Sequence, residues 1–314
     1  MLKVHLEQSC GSRLKSIFVE GTAKYFQLVD DPALADIIVF EADSWPYLKR
    51  SALIRQYPDK CVCISEWDKP SFFIPSISAS NERSWYSSGR TETMHYPLAA
   101  RGSWNEWVTR LAREPADKKY LYSFMGKSSS RVRKVLLRHY ATSRLPDDIL
   151  IEGSDQAVLN LAEYGDASRR RYAEVMSASK FALCPRGWGT SSLRLFEACE
   201  MGVAPVILSD RWVPIGGIDW SFALFVDENR VRDLDGVIRS HESEWVQRGQ
   251  RARQTFLEHF GVEVAPRALM AAIARLIGSL DPHREAAFRP WYPLIHLGRI
   301  ANERLGKWVP TYRA

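Results

Sequence analysis

The residues with the clearest chemical signal lie between Cys184 and Asp210, in the stretch CPRGWGTSSLRLFEACEMGVAPVILSD. An apolar run ends at Pro185 and a helical pattern follows it, so the turn between them precedes a helix N-terminus. Aligned peptide dipoles already leave positive charge at such an end. Even so, Arg186 precedes the helix and Arg194 lies in its first turn. An anion held by free N–H groups and guanidinium groups would make this arrangement favourable.

A second turn repeats this composition. After the apolar run YLYSFM, the chain continues with Gly126, Lys127, Ser128 to Ser130 and Arg131. We interpret the next two cations, Arg133 and Lys134, as solvated. Ligands of open parallel sheets bind outside the carboxyl ends of the strands, where both turns would lie. The two turns together therefore predict a diphosphate site, although neither matches the P-loop or the G-x-G-x-x-G motif.

The helix after the first turn adds a candidate ribose ligand. Ser191, Arg194 and Glu197 are three residues apart and share one helix face. A carboxylate there can accept hydrogen bonds from both ribose hydroxyls, whereas the alternative role for Glu197 is an ion pair with Arg194. The predicted ligand-binding residues are Gly126, Lys127, Arg131, Arg186, Gly187, Thr190, Ser191, Ser192, Arg194 and Glu197.

Alternating strand and helix patterns must position these turns. From residue 120 to 228 the alternation predicts a parallel α/β sheet, with helices following it. Before residue 112 the candidate strands are 3–6, 36–40 and 61–65, with helices around 45–57 and 104–113 and a loop-rich stretch between them. We predict a Rossmann-like N-terminal domain (1–115), a ligand-binding Rossmann-like domain (116–275) and a helical tail (276–314) that packs back on the first domain.

Composition narrows the class of protein. The chain has 43 basic and 37 acidic residues, a net charge of +6 that suits anionic ligands. Its five cysteines are odd in number and scattered, which fits neither a disulfide framework nor a zinc site. We find no apolar segment of the length of a membrane span or a signal peptide. The expected location is the cytoplasm, and the aromatic, basic tail suggests an alternative contact with the inner face of the membrane.

These residues resemble a known family. The stretch SKFALCPRGWGTSSLRLFEACEMGVAPVILSD, followed by IDW at 218–220, is similar to the signature of exostosin-type glycosyltransferases, and YLYSFMGKSSSRVRKVLL is similar to the segment that precedes it. The resemblance implies a GT-B architecture, in which two Rossmann-like domains face each other across a cleft. It also implies an inverting transfer from a UDP-sugar to an oligosaccharide or lipid-linked glycan, as in the synthesis of a surface polysaccharide.

An inverting transfer needs one general base, which removes the proton of the acceptor hydroxyl. We expect it from the N-terminal domain and rank Asp68 and Glu66 first, because they follow a predicted strand in CVCISEWDKP. The next candidates are Glu41, Asp43 and His95. Charge on the leaving UDP would be stabilised by Arg186, with Lys127 or Arg131, and by the helix N-termini.

Such a mechanism requires no metal, and we expect neither a metal nor another cofactor. The only D-x-D candidate, Asp233 to Asp235, has the pattern of a charged helix start. Two alternative functions are consistent with part of this sequence pattern. A GDP-sugar transferase of the fucosyltransferase kind would have a similar turn, and a non-catalytic module would bind an anionic polymer or a glycan. Because the basic signals cluster at two turns, a compact ligand is favoured over nucleic acid.

Overall fold

The computed structural model describes residues 1–41, 45–68, 73–84, 89–100, 105–142, 145–153 and 165–281, together with Leu294 and Leu297. Asp43 and nearly all of the predicted tail lie outside these residues. No helix in the described ranges combines the length and the hydrophobicity needed to cross a bilayer.

The first half of the chain forms a six-stranded parallel sheet of order β2-β1-β3-β4-β5-β6. Its strands are β1 (Leu2–Leu6), β2 (Phe26–Leu28), β3 (Ile37–Phe40), β4 (Cys61–Ser65), β5 (Ser76–Ser78) and β6 (Thr91–Thr93). Its helices are α1 (Ser12–Glu20), α2 (Trp45–Arg50), α3 (Ala52–Gln56), α4 (Pro97–Ala100) and α5 (Glu106–Leu111). Residues 45–57 form two short helices because Ser51 caps the second one through the N–H of Ile54.

The second half forms a five-stranded parallel sheet of order β11-β10-β9-β7-β8. Its strands are β7 (Tyr120–Gly126), β8 (Ile149–Gly153), β9 (Ser179–Pro185), β10 (Ala204–Leu208) and β11 (Leu224–Phe225). Its helices are α6 (Arg131–Ala141), α7 (Asp166–Ser177), α8 (Leu193–Glu200), α9 (Leu234–Ser240) and α10 (Trp245–Thr255), the last continued by a π-helical turn at Phe256–Phe260. The two sheets confirm the predicted α/β class and its GT-B organisation.

The last described helix, α11 (Ala265–Ser279), belongs to the first sheet rather than the second. Leu269, Ile273 and Leu276 are buried in the same apolar cluster as strands β1, β3, β4 and β5. The chain therefore returns to the N-terminal domain directly after the π-helical turn, ahead of the boundary at residue 275 predicted from the sequence. The amphipathic pattern of α11 predicts a helix with one buried face, but not which sheet that face covers.

The carboxyl-terminal edges of the two sheets meet along a short interface. Glu82, after β5, forms an isolated antiparallel bridge with Trp212, after β10. The Trp212 indole N–H donates to the Ala79 carbonyl at 3.3 Å. Arg211 forms an ion pair with Glu82 at 2.8 Å. These contacts hold the loops at the ends of both sheets against each other, and the candidate site lies among those loops.

Candidate functional site

The two turns singled out in the sequence are joined directly in the structure. Ser130 is the N-cap of α6, and its hydroxyl oxygen accepts from the Arg133 N–H at 3.3 Å. The same hydroxyl donates to the Arg186 carbonyl at 2.8 Å, across to the turn that follows β9. Because β7 and β9 are neighbours in the sheet, one side chain reaches both turns. The structure thus brings the two predicted anion-binding turns together.

Arg133 lies inside this site, which corrects its interpretation as a solvated residue. Its Nε and Nη2 donate to the Pro185 carbonyl at 3.2 and 3.0 Å, and its Nη1 donates to the Ser129 hydroxyl at 3.2 Å. Lys134, the next residue, is exposed, as predicted. The helix geometry explains the difference, because consecutive residues point about 100° apart. The turn of α6 therefore directs only one of the two cations towards β9.

Arg194 approaches the same place from the first turn of α8. It donates through Nη2 to the Met125 carbonyl at the end of β7, and its Cζ lies 4.6 Å from the centre of the Phe124 ring. Gly126 makes this approach possible, since a Cβ atom there would lie 2.8 Å from Arg194 Nη2. The Cζ of Arg133 lies 5.7 Å from the same ring. Arg194 Nε is buried and makes no hydrogen bond.

The two guanidinium groups thus form a like-charged pair, the Arg133/Arg194 pair. Burial and the nearby charge of Arg194 lower the pKa of Arg133 to about 9. A guanidinium nevertheless keeps its charge at neutral pH. These two cations contact one aromatic ring, and the buried Nε–H of Arg194 has no partner among the described residues, so the pair favours binding of an anion.

Arg186, the predicted phosphate ligand, has an acidic partner that the sequence analysis missed. Its Nε donates to Glu228 Oε1 at 2.8 Å, and both side chains are mostly buried. Glu228 also receives a hydrogen bond from the Asp210 N–H at 3.4 Å and donates its own N–H to Asp210 at 2.8 Å. Since Glu228 ends the predicted strand 222–228, its position at the carboxyl edge could have been recognised. The unmatched positive charge therefore lies on the Arg133/Arg194 pair rather than on Arg186.

Glu197 is a buried carboxylate beneath that pair. The Tyr172 hydroxyl donates to Glu197 Oε2. Burial raises the pKa of Glu197, while the Tyr172 hydrogen bond and the charge of Arg194 offset part of that rise. In the described ranges no ion pair joins Glu197 to Arg194, so the alternative role predicted for it is not seen. Tyr172 therefore fixes the orientation of this carboxylate, which is only 3% exposed.

The hydroxyl residues before α8 differ from the predicted set of helix caps. Ser192 is at the N-cap position, but its side chain accepts no capping hydrogen bond. Thr190 donates instead to the Asn81 carbonyl of the other domain at 2.8 Å. Ser191 is buried, and its hydroxyl has no hydrogen-bond partner among the described residues. Thr190 therefore joins the two domains, because the turn is packed against the N-terminal sheet rather than open to solvent.

Three other predicted ligand-binding residues are less enclosed by the protein. Lys127 is partly buried, and Arg131 is exposed at the start of α6. Gly187 has space around it, since a Cβ atom there would meet only Arg133 Nη2 at 3.7 Å. These three residues lie on the outer side of the two turns, so they could contact only the exposed side of a bound ligand.

Asp68, one of the two leading base candidates, touches the turn after β9. Its Oδ1 accepts from the Gly189 N–H at 3.0 Å, so a residue of the N-terminal domain contacts the predicted ligand-binding turn. Glu66 Oε1 accepts instead from the Leu98 N–H at the start of α4. Of the two carboxylates, Asp68 is therefore the one whose hydrogen bond reaches the turn after β9, although both lie near Tyr96, whose pKa burial and their two charges raise.

The remaining base candidates lie in other surroundings. Glu41 accepts from the Gly11 N–H at 2.6 Å. His95 is buried between Phe196 and Phe260, and desolvation lowers its pKa to about 3. Its burial in this aromatic surrounding leaves His95 little access to an acceptor in the structure, so it is a weaker base candidate than Asp68.

The D-x-D candidate is a helix start in the structure. Asp233 precedes α9, and Asp235 in its first turn forms an ion pair with Arg239 at 3.0 Å. Within the described ranges, no group of three or more metal-ligating side chains is found. Independence from metals remains a prediction.

Gly189 gives a direct test of the contact between the domains. A Cβ atom at this position would lie 2.4 Å from Ser80 Oγ and 2.9 Å from Ser80 Cβ, and Ser80 is itself buried. We expect Gly189→Ala to lower the free energy of unfolding by about 2 kcal/mol, because the turn must move away from the N-terminal sheet. Gly187→Ala is the matched control and should change it by less than about 0.5 kcal/mol. Urea denaturation measures both, and equal losses would contradict the packing described.

Comparison with known proteins identifies the family. The exostosin GT47 domain model matches residues 67–241, which is more than half of the 314 residues. The chain belongs to the exostosin GT47 family. The matched segment of this exostosin-family chain contains both turns, the Arg133/Arg194 pair, Glu197 and Asp68.

Several curated relatives support this membership. The chain is 28% identical over 170 residues to exostosin-1 of Drosophila melanogaster, covering 46% of this chain and 21% of that protein. It is 33% identical over 149 residues to the probable glucuronosyltransferase GUT1 of Oryza sativa, covering 44% and 35%. It is 41% identical over 83 residues to the probable beta-1,4-xylosyltransferase IRX10 of Arabidopsis thaliana, covering 26% and 20%. The aligned part of the exostosin-family chain thus spans about a fifth to a third of each relative.

Solved structures resemble the exostosin-family chain more distantly. Anabaena HepE in complex with UDP matches with a TM-score of 0.39 at 10% identity, covering 87% of this chain and 100% of that chain. A glycosyltransferase from Rickettsia africae matches with a TM-score of 0.41 at 9% identity, covering 88% and 98%.

Proposed function

We propose that this protein is an inverting glycosyltransferase that moves a sugar from a UDP-sugar to a hydroxyl of a glycan acceptor. The observation that carries the proposal is the Arg133/Arg194 pair, which lies where the two helix N-termini converge. Membership of the exostosin family supports the reaction class, and relatives named as glucuronosyl- and xylosyltransferases support a sugar nucleotide as the donor. Synthesis of a surface polysaccharide in the cytoplasm is the proposed setting.

The donor would be held by groups that follow two neighbouring strands of the second sheet, β7 and β9. Its diphosphate would lie against the Arg133/Arg194 pair and the N-termini of α6 and α8, which favour negative charge. Glu197, oriented by Tyr172, would accept hydrogen bonds from the ribose hydroxyls. A bound anion would also offset the repulsion between the two adjacent guanidinium groups, and this would strengthen its binding.

The transfer itself needs stabilisation of the leaving group and removal of one proton. Fixed cations stabilise the charge that develops on the leaving UDP without reorganising during the reaction. Asp68 would take the proton from the acceptor hydroxyl, because it lies against the turn that holds the donor. We propose that these groups work without a metal ion, since guanidinium groups supply the positive charge at the diphosphate.

A calorimetric titration with UDP and with GDP, in EDTA, tests the donor. We expect micromolar UDP binding that GDP does not match, and loss of at least tenfold in UDP affinity for Glu197→Gln. This variant preserves the shape of the side chain and an acceptor oxygen for the Tyr172 hydroxyl. The loss of UDP affinity would therefore measure the contribution of the Glu197 charge. Equal affinity for GDP would favour the fucosyltransferase-like alternative. Absence of binding by both nucleotides would contradict the proposed donor site.

A further inference from the structure

Two exposed tryptophans flank the place where Asp68 meets the donor turn. Trp67 and Trp188 are 66% and 65% exposed, although tryptophan is usually a mostly buried residue. Each directly precedes one partner of the hydrogen bond between Asp68 Oδ1 and the Gly189 N–H. The two tryptophans therefore come from different domains, and each is the chain neighbour of one residue of this contact.

We propose that Trp67 and Trp188 form a stacking site for the pyranose rings of the acceptor glycan. Sugar rings present a face of C–H groups that packs on an aromatic face, and an indole offers the largest such face. Exposure of two large aromatic side chains costs free energy in water, which a ligand recovers by covering them. The role as acceptor site rests on the proposed function, whereas the stacking itself does not.

The backbone on both sides fixes the two tryptophans in place. The Trp67 N–H donates to the Ser65 hydroxyl at 3.1 Å, at the end of β4. Trp188 lies between Gly187 and Gly189, and Gly189 is packed tightly on Ser80. Anchored backbone with exposed rings is the arrangement of a preorganised binding surface, which avoids much of the entropic cost of ordering.

The position also suits the chemistry. Trp67 and Trp188 each directly precede one partner of the Asp68–Gly189 hydrogen bond, so a sugar stacked on either ring would lie near the Asp68 carboxylate. Its attacking hydroxyl could then reach the carboxylate that acts as base. Stacking tolerates different sugars, so these residues set the orientation of the acceptor and leave its identity to other contacts.

Titrations with three linear glycans, xylohexaose, cellohexaose and trigalacturonate, test the proposal through tryptophan fluorescence and calorimetry in the presence of UDP. We expect at least one glycan to bind and to shift the emission, with affinity about tenfold weaker for Trp188→Ala and for Trp67→Ala. Trp188→Phe should retain most of the affinity, and Trp188→Leu should not, because only the former keeps an aromatic face.

Phe225→Ala removes another exposed aromatic side chain, 49% exposed, from the second sheet and is the control. It should bind glycans as the wild type does, and all four tryptophan variants should bind UDP unchanged. Wild-type affinity for every glycan in both alanine variants overturns the proposal, and so does failure of the wild type to bind any of the three. If the wild-type protein does not bind UDP, this result contradicts the proposed donor site but not the stacking site.

Discussion

Replacing Arg133 with glutamine is expected to weaken UDP binding about 100-fold, or about 2.7 kcal/mol. The variant removes one of the two partly buried cations that would contact the diphosphate, and charged hydrogen bonds of this kind contribute about 1.5–3 kcal/mol each. Without UDP, the free energy that the variant loses at this site is partly offset, because Arg194 no longer repels a second guanidinium group. Calorimetry measures the affinity, and the UDP-dependent rise in melting temperature checks it independently.

Lys134→Gln is the matched control, because it removes the same charge one residue away on the same helix. It should change UDP affinity by less than about threefold, as expected for an exposed cation. The double variant Arg133→Gln/Arg194→Gln should lose less than the sum of the two single losses, since both groups serve one anion. If Arg133→Gln weakened UDP binding no more than Lys134→Gln, the Arg133/Arg194 pair would have a structural role and would not bind the diphosphate.

Much of the fold could be predicted because the second sheet is built from apolar strands alternating with helices. β7 and β9 have nearly the predicted limits. The strands β5 and β6 were missed, since SIS and TET are short and mostly polar, although all six residues are buried. Both strands lie at one edge of the first sheet and pack against α11, so their burial depends on a helix far along the chain rather than on local pattern.

The site was predicted in part for a similar reason. Residue type and helix start identified the two turns, and the helical spacing identified Arg194 and Glu197. Which of the two cations would contact β9 depended on how α6 packs beside that strand, and this packing selects Arg133 over Lys134. The pairing of Arg186 with Glu228 likewise joins residues 42 positions apart. Contacts of this range follow from the packing of elements and leave no periodic trace in the sequence.

Asp68→Asn is expected to lower kcat about 1000-fold while UDP affinity changes by less than about threefold. The asparagine oxygen can still accept from the Gly189 N–H, so the turn stays in place and only the ability to take a proton is lost. The rate is measured as release of UDP from the UDP-sugar that a donor screen identifies, with a saturating glycan acceptor. An unchanged rate would remove Asp68 as the base.

Glu66→Gln separates the base from its neighbour. Glu66 follows the same strand, but its carboxylate accepts from the Leu98 N–H, and glutamine preserves that acceptor. We therefore expect kcat within about threefold of the wild type, against the large loss for Asp68→Asn. If the two losses were reversed, the general base would be Glu66 rather than Asp68, because either carboxylate keeps a second oxygen beside the one that accepts from a backbone N–H.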